Sequence, residues 1–232
     1  MDGRSHRHDC GASLSEEELT GEIVNKAVAK SSTMKKAVVV AIAASALILT
    51  GCSSMTAAAK IGKAEVSNTR VENSVATILS ERTKVSTQGM SSLLSGADLK
   101  RSQLRFFVLS QLLDDVATKH KISITDGDIA SQRTAIYSQI GGVANLPSAL
   151  VNAGIASTDF DRYLRTILIT EKLTALAKAA NVPNTNGQAI QALVVEQAKA
   201  EGVTINPQYG SWDAATADVV ALNTPNTAVS SK

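Results

Sequence analysis

Aromatic side chains are scarce: three Phe, three Tyr and one Trp, 3% of 232 residues. All seven (Phe106, Phe107, Tyr137, Phe160, Tyr163, Tyr209 and Trp212) lie beyond residue 100, so a packed core is not centred on the first hundred residues. Only four prolines interrupt a chain rich in Ala, Leu, Ile and Val, which favours helices over a sandwich or barrel. Two cysteines exclude a disulfide framework, and with only three histidines a Cys/His zinc site is not expected. Charge of one sign is also lacking: 23 basic residues face 21 acidic ones, so there is no electrostatic footprint for nucleic acid. What remains is a 44% hydrophobic chain, long enough for one domain of ordinary size plus appendages.

The sharpest signal lies in residues 34–52. Met34-Lys35-Lys36 gives a basic start, and Ala37–Leu49 follows without a charge. At ~1.5 Å per residue that run spans roughly 20 Å, short of the ~30 Å hydrocarbon core of a bilayer. It fits the apolar region of a secretory signal instead. Leu49-Thr50-Gly51-Cys52 resembles the lipobox of bacterial lipoproteins. The resemblance implies cleavage before Cys52, diacylation of its sulfur, and a lipid anchor on the extracytoplasmic face of the cell membrane. A buried core helix with a free thiol does not account for the order basic, apolar, small, Cys. Residues 1–33 are polar and carry Glu16-Glu17-Glu18 where a signal needs a basic or neutral lead, so Met34 is expected to be the natural start and 1–33 an upstream extension. The alternative is a genuine cytoplasmic extension that slows export. His6, His8, Asp9 and Cys10 have no second cluster with which to complete a tetrahedral metal shell. Beyond Gly51 a single histidine, His120, is left, and with Cys52 lipidated no thiol. A Cys–His or Ser–His–Asp site would have to run through His120 alone.

The rest reads as a tether (52–58), one mainly helical domain (59–213) and a flexible tail (214–232). Lys60–Val66 alternates as a short strand with a glycine turn inside it. Ser67 caps a helix to about 87 with Val71, Val75, Ile78, Leu79 and Val85 on one stripe. After a Ser/Gly-rich loop, Asp98 is expected to cap the central helix, faced by Leu104, Phe107, Val108, Leu112, Leu113 and Val116 and ending near His120. Ile122–Ile124 is extended, and Thr125 with Asp128 forms a capping box for a helix carrying Ile129, Ile136, Tyr137 and Ile140. Gly141-Gly142 stops it, a short helix runs Leu146–Ala153, and Ser157–Asp161 opens a strong helix to about Ala180. A last helix, Gln188–Ala200, ends at Gly202, before a strand-like Val203–Ile205. Isolated strands leave backbone groups unpaired, so Lys60–Val66 and Val203–Ile205 are expected to pair and to bring Trp212 into substantial burial.

This order resembles the N-terminal chaperone domain of the SurA family, shared in outline by PrsA-type foldases and the client-holding part of trigger factor. The motifs are Ile122-Ser123-Ile124-Thr125-Asp126, the Ile155–Arg165 segment after Gly154, and the closing Val203–Asp213. The resemblance implies a mainly α fold with a small β pairing between its two ends. It also implies an ATP-independent holdase that shields unfolded or nascent exported polypeptides, with neither cofactor nor catalysis. Parvulin isomerase domains of such proteins use a pair of histidines beside Cys or Asp, and no ~90-residue block for one exists here. Prolyl isomerisation is therefore not carried over.

Phe106, Phe107, Tyr137, Phe160 and Tyr163 are the candidate client-binding residues, against the plainer reading that large aromatics at helical spacing are core. Phe106 and Phe107 are adjacent and cannot share one helix face. His120 reads as a helix C-terminal residue favoured by the dipole. Asp114-Asp115 and Asp126/Asp128 do not have the placement of acid/base pairs. Lys100, Arg101 and Arg105 form a basic cluster able to touch lipid headgroups, or simply a solvated face. The rival function is a cell-envelope lipoprotein that binds one dedicated protein partner. A broad apolar cradle separates the holdase from that rival's small patterned patch. An enzyme would need a pocket of convergent polar groups.

Overall fold

A computed structural model describes residues 56–90 and 93–222. The described residues open with a hairpin, β1 (Ala57–Ile61) and β2 (Ala64–Ser67), turned at Gly62-Lys63. Gly62 takes φ +55° and Lys63 does not take a positive φ, the pattern of a II′ turn that matches strand twist. Among the described residues six α-helices follow: α1 (Asn68–Arg82), α2 (Gly96–Lys119), α3 (Asp126–Gln139), α4 (Leu146–Ala153), α5 (Phe160–Ala179) and α6 (Gln188–Glu201). The chain then returns as β3 (Val203–Ile205) and a second hairpin, β4 (Ser211–Asp213) and β5 (Asp218–Val220).

The ends of the domain are joined as expected. β3 lies antiparallel to β1 with Ile61 opposite Val203 and Ala59 opposite Ile205, giving a sheet of order β2-β1-β3. Asn206 N–H continues the contact by donating to Ala58 O at 2.9 Å. The central helix is α2. Leu104, Phe107, Val108, Leu112, Leu113 and Val116 are all buried and meet β1, Ile169 and Leu173 of α5, and Ile190 and Val194 of α6. A second cluster joins Val75 and Ile78 of α1 to Leu99 and Ala156. A third sets Leu150 against Phe160 and Leu164, with α3 laid over it through the half-buried Ile129, Ile136 and Tyr137.

The capping box is present: Thr125 Oγ1 accepts from Asp128 N–H at 3.1 Å, and Asp128 accepts from Thr125 N–H at 2.9 Å. That backbone bond, with Lys172 close by, holds the Asp128 carboxyl below its usual range. The Ser67 cap of α1 is likewise made, by Arg70 N–H at 3.1 Å.

Several expectations need correction. Lys60–Val66 is two strands and a turn, and pairing begins upstream of it. Ala57, Ala58 and Ala59 are buried in β1, so the last two residues of the expected tether belong to the sheet. The first helix stops at Arg82 rather than near 87, and the central helix starts after Ser95, with Asp98 in its first turn instead of at its cap. Ile122–Ile124 joins no strand. Residues 214–220 are part of the fold: Ala217 and Val219 are buried against the main core, and Asp213 organises the turn by accepting from Ala215 N–H and Thr216 Oγ1. Trp212 is only half-buried, and Tyr209, at 3% exposure, takes the interior place instead. Here backbone meets backbone closely: a Cβ on Gly210 would stand 2.1 Å from Val220 O, so only glycine lets the β4–β5 hairpin fold over this turn.

Candidate functional site

Three features present themselves, and the apolar one is built by α5 and α6. Leu173, Leu176, Ala177 and Ala180 repeat at helical spacing along the last half of α5. Ala189, Ala192 and Leu193 do the same on α6. The alanines leave the space between the two helices unfilled, and a groove of about 360 Å³ results, with Val182 and His120 also among its lining residues. Leu176 and Val182 are 47% and 48% exposed, unusual for large aliphatics that are side by side. Lys119, next in sequence to His120, has its Nζ 2.9 Å from Glu196 of α6, and this contact draws the Glu196 carboxyl below its usual range. An apolar groove of this kind is the build of a protein-contact surface.

A second, smaller cleft of about 210 Å³ lies between α2, α5 and the α4–α5 turn, with Phe106 and Tyr163 among its walls. The five aromatic candidates are thus sorted by the fold. Phe106 and Tyr163 share this cleft, and Tyr163 and Tyr137 pack on Phe160. Phe107 turns to the other side of α2, its ring 5.3 Å from that of Phe106 and under the guanidinium of Arg70 at 4.9 Å. Phe107 and Phe160 are 3% and 6% exposed and offer little surface, so Phe106, Tyr137 and Tyr163 carry what the aromatics can present. Cys52, the proposed lipidation site, lies outside the described residues.

The third feature is a polar knot beneath the surface. Asp159, just before α5, is 2% exposed and ion-paired with Arg70 of α1. Ser74 Oγ stands 2.9 Å from both Asp159 Oδ2 and Gln103 Oε1, so its single proton serves one acceptor at a time. Gln103 Nε2 donates to Gly154 O at 2.9 Å. The knot fastens α1, α2 and the turn into α5, and its buried groups are engaged with one another.

The other charged candidates are structural. Lys100, Arg101 and Arg105 each meet a carboxylate, Glu72, Asp98 and Asp218 respectively, so the basic cluster is a neutralised helix face. Asp114 pairs with Arg165 across α2 and α5 at 2.7 Å. Burial raises the Asp115 carboxyl, with Gln111 Nε2 donating to it. His120 is an exposed cap residue of α2. Among the described residues no cluster of three metal-ligating side chains forms, and no helix is long and apolar enough to cross a membrane.

The model of the SurA-like N-terminal domain matches residues 22–174. The chain belongs to that family. The family is of the chaperone type. The match takes in the 34–52 segment and the fold from β1 to the larger part of α5. It leaves out α6 and the returning strands, which complete the groove and the sheet. No curated protein and no solved structure matches the chain.

A trace of the groove is present in the sequence. Leu173 and Leu176 widen the apolar stripe of α5 beyond what one neighbour covers. That α6 would face them with alanines depends on how the helices pair, which spacing within one helix does not reveal.

Proposed function

We propose that this protein is a lipid-anchored, extracytoplasmic holdase that shields exposed apolar segments of exported polypeptides without ATP or isomerase chemistry. The observation that carries the proposal is the groove between α5 and α6, with Leu176 and Val182 open to solvent above an alanine floor. Its apolar lining suits many aliphatic side chains without selecting one shape, and the Phe106–Tyr163 cleft adds a second, aromatic contact. Membership of a chaperone-type family supports the same reading. The anchor rests on the lipobox-like run ending at Cys52.

Two measurements test it. Residues 53–232 should suppress aggregation of an unfolded model protein at modest molar excess, and the double variant Leu176→Glu with Val182→Glu should lose that protection while melting normally, since both side chains are nearly half exposed. No protection by the unaltered protein would favour the dedicated-partner alternative. Separately, Cys52→Ala in cells should abolish fatty-acid labelling; continued labelling would overturn the anchor.

A further inference from the structure

On the side of α2 away from the aromatic cleft lies a polar cleft of about 370 Å³, walled by β2, Arg70, Phe107, Gln111 and Arg162. Two of its properties are not explained by the groove between α5 and α6. The first is a free sheet edge. In the order β2-β1-β3, β2 is outermost, so one row of its backbone groups has no strand partner. The hairpin register fixes which groups these are. Ile61 and Ala64 flank the two-residue turn as a bonded pair, so Lys60–Glu65 is the next, non-bonded pair, and Glu65 turns its N–H and C=O outward.

The second property is an unmatched charge. The Arg70 guanidinium is held by Asp159, and Glu65 is matched by Lys60 at 3.0 Å. Arg82, Arg101, Arg105, Arg133 and Arg165 each donate to a carboxylate or carbonyl. Arg162 is the one arginine among the described residues whose guanidinium has no such partner, yet it is half-buried at the cleft wall. The Arg162 guanidinium offers five N–H donors, and a carboxylate is the group that matches their fork.

We infer that this cleft takes an extended peptide segment that adds as a strand to the free edge of β2 and turns one acidic side chain onto Arg162. The backbone pairing supplies sequence-tolerant affinity and the carboxylate fixes register. A four-residue edge alone would be an ordinary protected strand; the lone guanidinium beside it is what points to a ligand. The inference does not rest on the holdase reading, because a dedicated partner's strand would dock in the same way.

The test is fluorescence anisotropy of the full-length protein with a labelled ten-residue Val/Thr peptide carrying one central Glu, both ends blocked. Replacing that Glu by Gln, or Arg162→Gln in the protein, should weaken binding about tenfold or more, as loss of a charge-assisted contact does. Arg162→Lys should retain part of it. N-methylating alternate residues along one edge of the peptide should abolish binding, and methylating the other edge should not. Equal binding of the Glu and Gln peptides overturns the inference, as does equal tolerance of both methylation patterns. Binding only when the peptide's C-terminal carboxylate is freed would also overturn it, assigning Arg162 to chain ends instead. If Arg162→Gln lowers the melting temperature, the Glu/Gln comparison on the unaltered protein decides. Failure here leaves aggregation suppression untouched, so the two proposals fall separately.

Discussion

Asp159 and Arg70 form one ion pair, but removing either end should not cost the same. Breaking a fully buried pair by truncating one partner typically costs about 3–5 kcal/mol, because the other charge is stranded away from water. Here burial is lopsided: the Arg70 side chain is 45% exposed and that of Asp159 2%. After Asp159→Ala the guanidinium still reaches solvent, and Ser74 still donates to Gln103 Oε1 at 2.9 Å. What is lost is a charged acceptor, worth about 1.5–3 kcal/mol, so the expected destabilisation is about 2–3 kcal/mol. After Arg70→Ala the carboxylate stays buried with Ser74 as its one remaining donor among the described residues. That cost should sit at about 3–5 kcal/mol, and loss of the stack on Phe107 acts in the same direction. Either is a large part of a total stability of about 5–15 kcal/mol. Urea denaturation followed by circular dichroism, with equal slopes for both variants, measures the difference. If Asp159→Ala is as costly as Arg70→Ala, the reasoning from exposure is wrong.

Ile205→Ala should cost about 2–4 kcal/mol in the same assay, because its side chain is 7% exposed and opposite Ala59, while Thr204→Ala on the outer face should stay within about 0.5 kcal/mol. Thr125→Ala removes one half of the capping box and should lower stability by about 1 kcal/mol, with faster amide exchange confined to the first turn of α3. Asp115 gives a pH signature. Burial raises its carboxyl in the folded state, so the native protein binds more protons than the unfolded chain just above the ordinary carboxylate range. Its contribution favours folding at low pH and is lost as pH rises through the folded-state value. Asp115→Asn should therefore flatten the fall in stability over that window and leave slopes elsewhere unchanged, as read from denaturation midpoints across pH.

Most helices were legible because each signal was local. The α2 stripe, the Ser67 cap, the Thr125–Asp128 box and the Gly154 stop are set by residues within one or two turns of one another. The pairing of β1 with β3 was also legible, by asking where the backbone bonds of two short extended segments could go. The remainder depended on distant neighbours. Ala57–Ala59 has no strand propensity and is extended because β2 and β3 flank it. Residues 214–220 are mostly small, with Val219 and Val220 too few to show a stripe, and only their position over α2 makes Ala217 and Val219 interior. The size that marks Phe107 and Phe160 as candidate site residues in the sequence is also what makes them core. The α5–α6 groove went unread because an absence of side-chain volume on one helix becomes a feature only once the other is placed beside it.

The seam between the two ends has a kinetic meaning as well. Asn206 Nδ2 reaches Ala57 O at 3.3 Å across 149 residues of sequence. Made from its N-terminus, the chain forms the β1–β2 hairpin first, yet β1 has no second neighbour until the last helix has emerged. Closing so long a loop is entropically costly and slow, so it should come after the helices have docked. Until then the Ala59–Ile61 edge of the hairpin stands open as well as the edge of β2, and β1 is covered on both sides only when β3 arrives. For that interval the protein is itself the kind of unfinished chain a chaperone protects.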